Sequence, residues 1–90
     1  MSQYSALIKH WHLDQSTTFM NHGSYGACPK VILEEQSRTR EELETQPVKF
    51  FSHTLLPRMD GVRETLGQLL GTGPNNLGLI PNATQGVNTV

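Results

Sequence analysis

Leu77-Gly78-Leu79-Ile80-Pro81-Asn82-Ala83-Thr84-Gln85-Gly86 is the stretch on which the fold turns. Its first four residues carry three apolar side chains, and with Asn75-Asn76 before them and Pro81 after they predict a short buried strand. Asn82, Ala83 and Thr84 then open a helix, on which Ala83, Val87 and Val90 share one face. A strand passing straight into a helix is the building unit of an α/β layer. One strand, with a second expected at Thr17-Thr18-Phe19-Met20, cannot form an independent sheet, which needs about three strands or a covering layer.

Upstream of that stretch the pattern is helical. Leu55, Met59, Val62, Leu66 and Leu69 recur at three- and four-residue steps, with Leu56 and Leu70 widening the stripe. Gly71-Thr72-Gly73-Pro74 ends this helix as a C-terminal glycine followed by proline should. Pro29 suits a first helical turn, and the run from there to about Thr45 contains no other proline or glycine. Charges spaced four apart on it, such as Glu34/Arg38 and Arg40/Glu44, describe a solvated face. Tyr4, Leu7, Ile8 and Trp11 predict a short amphipathic helix over Tyr4 to Leu13. Between these helices, Asn21-His22-Gly23-Ser24-Tyr25-Gly26 predicts a tight loop whose glycines and asparagine suit positive backbone angles.

Composition narrows the function classes. Ninety residues make one small domain at most, with a modest core. Apolar residues at 36% against 17% charged place the chain among globular sequences, and seven basic against eight acidic side chains give no polyanion-seeking surface. Neither nucleic acid nor membrane is an expected partner. Cys28, the single cysteine, can form no internal disulfide and no cysteine-cluster metal site, so a reducing, cytoplasmic setting is expected. The stripe on the Leu55 helix has nothing here to pack on, so the chain reads as the opening segment of a larger α/β protein.

The chemistry concentrates in two places. A strand–turn–helix at residues 80–86 presents unpaired amides and about half a positive charge at the helix end, and the Thr84 hydroxyl beside small Ala83 adds a donor with room for a close approach. A phosphate is the natural ligand, while the plainer reading makes Asn82 or Thr84 an N-cap. In the loop, His22 can orient a carboxylate or carbonyl, or simply cap a neighbouring carbonyl. His10 and His12, two residues apart, do not share a helical face as metal ligands would, and no metal is expected. Cys28 has no assignable base, and Lys9, Lys30 and Lys49 all lie in polar stretches, so no nucleophile stands out.

Three segments go further together than any does alone. Phe19 to Pro29 (FMNHGSYGACP), Arg40-Glu41-Glu42-Leu43-Glu44 with Gln46-Pro47-Val48-Lys49-Phe50-Phe51, and Pro81 to Val90 (PNATQGVNTV) resemble, in order and spacing, the start of class V aminotransferases, especially isopenicillin N epimerase-like proteins. The resemblance implies an α/β protein of fold type I whose N-terminal portion, residues 1–90, is mostly helical with one or two short strands. It covers an N-terminal helix and loop, two linking helices and the start of the large cofactor-binding domain. It further implies a pyridoxal 5′-phosphate enzyme, normally a homodimer, acting on a small amino-acid substrate. Residues that match the family's phosphate turn are Ala83 and Thr84, and those matching its substrate-side loop are Asn21, His22, Gly23 and Ser24. The family's Schiff-base lysine, the acid facing the pyridine nitrogen and the ring stacked on the cofactor match no residue here, so no catalytic residue is assigned and these ninety residues alone are expected to be inactive. The competing expectation is a stand-alone helical interaction module, derived from such an enzyme, that binds a partner through the Leu55 to Leu70 stripe.

Overall fold

The computed structural model describes residues 5–90. The chain divides into two compact units, Met1–Thr45 and Gln46–Val90.

In the described part of the first unit, short local structures precede one long helix. Ala6–His10 forms a 3-10 helix capped by Ser5, whose hydroxyl accepts the Leu7 amide at 3.2 Å. It stops where Trp11 turns extended, at φ −124° and ψ 159°. The expected α-helix over Tyr4 to Leu13 is thus reduced to five residues, and Tyr4 lies outside the described residues. Isolated helices this short are marginal, and the polar turn that follows competes for the backbone. In that turn the Asp14 carboxylate accepts the Ser16 amide at 2.9 Å, the Ser16 hydroxyl at 2.7 Å and the Thr17 hydroxyl at 3.2 Å. Helix α1 (Lys30–Thr45) follows, as its lack of interior glycine and proline predicts. Pro29 sits just before it, its carbonyl accepting the amides of Ile32 and Leu33. No residue of α1 is buried, and Arg38 pairs with Glu35, three residues back, at 2.5 Å on an exposed face.

The second unit is a nearly continuous helical run. Pro47 opens α2 (Pro47–Lys49), the backbone widens into a π-helical turn over Phe50–Thr54, and α3 (Leu55–Leu70) continues from it. Phe50, at 5% exposure, is the one buried apolar side chain among the described residues, and its ring meets that of Phe51 edge-on at 5.7 Å between centroids. Helix α3 ends where glycine was expected to end it. Gly71 adopts a left-handed conformation (φ 73°, ψ 35°), and the amides of Gly71 and Thr72 both reach the Gly67 carbonyl. The turn is so tight that a Cβ on Gly67 would lie 2.5 Å from the Thr72 carbonyl oxygen. A short 3-10 turn, Pro74–Asn76, leads to residues 77–80 and then to α4 (Ala83–Thr89).

The expected strands are not formed. Leu77 is extended (φ −118°, ψ 129°), but neither residues 77–80 nor residues 17–20 belong to a strand, and the described residues contain no strand at all. A strand exists only as a ladder of backbone hydrogen bonds to a neighbour, and no backbone bond among the described residues engages Gly78, Leu79 or Ile80. Glycine usage also differs from expectation. Gly23 and Gly26 do not take positive φ, and Gly71 is the only residue described that does.

Two predictions follow from this geometry. Gly67→Ala forces a methyl against backbone and should cost about 1–3 kcal/mol, whereas Gly61→Ala, at a helical site with open space around it, should gain about 0.5–1 kcal/mol. Urea midpoints of the two variants, followed by far-ultraviolet circular dichroism of the intact protein, should therefore move in opposite directions. The second concerns Asp14, whose carboxyl is held below the ordinary carboxylate range by the Ser16 amide first, then by the Ser16 and Thr17 hydroxyls. Because the folded pKa is depressed, the turn's contribution is complete above the ordinary carboxylate pKa and is lost as pH falls through the lowered value. The Ser16 amide resonance should hold steady through the ordinary carboxylate range on acidification and shift only below it.

Candidate functional site

Asn21, His22, Gly23 and Ser24 do share one loop, in the first unit. The Asn21 carbonyl accepts the Ser24 amide at 3.2 Å and the Tyr25 amide at 3.4 Å, which folds the chain back on itself. Inside that fold the His22 ring is held on two sides. Phe19 meets it edge to face at 4.6 Å between centroids, and its Nδ1 accepts the Ala27 amide at 3.2 Å. The expected contact, His22 donating to a nearby carbonyl, is therefore reversed, and the ring nitrogen serves as the acceptor. An Nδ1 that accepts an N–H carries no proton, so the neutral ring keeps its proton on Nε2. His22, an exposed residue of the loop, thus keeps a single N–H donor, the group needed to hold a carboxylate or carbonyl. A Cβ at Gly26 would lie 3.4 Å from the His22 carbonyl oxygen, close to ordinary contact distance, while a Cβ at Gly23 would meet open space.

Ala83 and Thr84 lie in the second unit, as the first two residues of α4. Asn82, in extended backbone, is the N-cap: its Oδ1 accepts the Gln85 amide at 2.8 Å and its carbonyl accepts the Gly86 amide at 3.1 Å. The plainer of the two readings is thereby met at Asn82, and Thr84 is released from it. Helix geometry leaves the amides of Ala83 and Thr84 without intrahelical partners, and no hydrogen bond among the described residues engages them or the Thr84 hydroxyl. Three exposed donors thus stand on two adjacent residues, a set whose chemistry fits an anion such as a phosphate. A Cβ at Gly86 would lie 2.4 Å from the Ile80 Cδ1, the movable end of that side chain, and would meet no backbone.

The remaining candidates stay apart from both groups. Cys28 is exposed and free, immediately before Pro29. His12 lines a shallow groove with Lys30, Glu34, Arg38 and Glu41 on α1. Among the described residues no group of three or more His, Cys, Asp or Glu side chains gathers in a way that could hold a metal ion, and no helix is long and apolar enough to cross a membrane. Sequence reading missed the pairing of Ser52 with His53, whose Nδ1 lies 2.8 Å from the Ser52 oxygen, in a groove beside Pro47 and Lys49. The two residues lie in the π turn over Phe50–Thr54, which no local sequence signal announces. The Ser52 hydroxyl already donates to the Val48 carbonyl at 2.6 Å, so His53 donates to Ser52 and does not act as its base.

Comparison with known proteins adds two relatives. The chain is 31% identical over 74 residues to "Putative L-cysteine desulfhydrase 1" of Oryza sativa subsp. japonica and 28% identical over 74 residues to "Putative L-cysteine desulfhydrase 2" of the same plant. Each similarity takes in 81% of this chain and 15% of the relative, so the chain spans about a seventh of the length of the curated proteins it matches. No family model matches the chain, and no solved structure does.

The hydrogen-bond pattern around His22 makes a direct prediction. Nitrogen NMR of histidine-labelled protein above the range in which imidazole protonates should give the Nε2–H tautomer for His22. His22→Phe, which keeps an edge-to-face ring against Phe19, should shift the Ala27 amide resonance by removing its acceptor. An Nδ1–H tautomer together with an unmoved Ala27 amide would overturn the assignment.

Proposed function

We propose that these ninety residues are the N-terminal portion of a pyridoxal 5′-phosphate enzyme of the class V aminotransferase type, with isopenicillin N epimerase-like motifs, that acts at the α-carbon of an amino acid. The observation that carries this reading is the similarity over 74 residues to two proteins named as L-cysteine desulfhydrases. It is supported by the three ordered motifs in the sequence and by the free donor set on Ala83 and Thr84. The relatives' names favour cleavage of a carbon–sulfur bond in a cysteine-like substrate over epimerisation or transamination. The full-length enzyme is a cytoplasmic homodimer in this reading.

When bound, pyridoxal phosphate supplies the electron sink that allows a bond at the substrate α-carbon to break. The chain's own part is to bind and orient. The Thr84 hydroxyl and the amides of Ala83 and Thr84 donate to the phosphate oxygens, and the partial positive charge at the start of the helix adds to the attraction. In the loop, His22 offers its Nε2–H to a carboxylate or carbonyl of the substrate, and Asn21, Gly23 and Ser24 beside it complete the substrate-side contacts. The proton transfers at the α-carbon fall to residues outside these ninety, because none here matches the family's lysine or its acidic partner.

Two outcomes are expected. The reading frame that encodes this chain in its genome should continue into the rest of the large domain, with a lysine placed to hold the cofactor. A frame that ends at Val90, with no downstream frame for that domain, would sink the proposal. In the full-length enzyme, Thr84→Val should weaken retention of pyridoxal phosphate about tenfold to hundredfold, the worth of a charge-assisted hydrogen bond of roughly 1.5–3 kcal/mol. Substitution of Asn88, a turn further along α4, should do much less, because the end-charge effect fades within the first turn. Titration of the cofactor-free enzyme with pyridoxal phosphate, read by the absorbance of the bound cofactor, checks both variants; equal affinity for Thr84→Val and wild type would reduce Thr84 to a structural residue.

A further inference from the structure

We draw no further inference here: the strongest candidate, the apolar face of α3 on which Val62 and Leu69 lie open beside half-buried Leu66, carries nothing because no observation in the structure shows what covers it.

Discussion

The Gly67 carbonyl oxygen accepts two amides, those of Gly71 and Thr72, and the course of everything after α3 depends on it. A helix that ended by fraying would leave residues 72–82 free to take many directions. Here the left-handed Gly71 turns the chain sharply, and the absence of a side chain at Gly67 lets the Thr72 carbonyl close against the helix it has just left. Pro74 and the short turn to Asn76 prolong that constraint, so that Leu77 begins with a fixed heading toward Pro81 and α4. Two glycines four residues apart thereby do the work that a packed core does in a larger domain.

Little burial assists them. Phe50 is the only buried apolar side chain among the described residues, while Val48 and Leu69 each remain 81% exposed. The stabilisation that burial normally supplies, about 25 cal/mol per Å² of apolar surface, is therefore mostly unrealised. What holds the observed shape is local: helix ladders, the Ser5 and Asn82 caps, the Asp14 turn and the closure at Gly67. Each of these joins residues no more than five apart, which is why they persist without a surrounding layer.

That distinction also decides what could be read from sequence. Helices α1, α3 and α4 were legible because periodicity, proline placement and a terminal glycine are short-range signals and the structures they specify are short-range too. The strand at Leu77 to Ile80 was read from composition alone, and composition cannot supply the neighbouring strand that a ladder requires. The π turn at Phe50–Thr54 had no signal, since Phe-Phe-Ser-His-Thr is compatible with an ordinary helix. In the candidate site, the grouping of Asn21 to Ser24 was visible in the loop composition, but the role of His22 was not: which partner a ring nitrogen takes depends on where Ala27 returns in space. Asn82 was foreseen as one of two possible caps, and the hydrogen bond to Gln85 makes the choice.

Pro81 has a consequence for how this chain behaves whenever its apolar segments lie open. Gly78, Leu79 and Ile80 present backbone donors and acceptors that no described residue takes up, next to side chains 42% and 51% exposed at Leu79 and Ile80. Such a segment is adhesive tape for any other extended chain, which can add to it edge to edge. The cyclic imino acid that follows has no amide hydrogen to contribute, so the tape is cut after Ile80, short of the roughly six residues that self-stacking β-aggregates favour. Pro81 thus acts as a gatekeeper, keeping the open stretch of Gly78, Leu79 and Ile80 too short to recruit copies of itself.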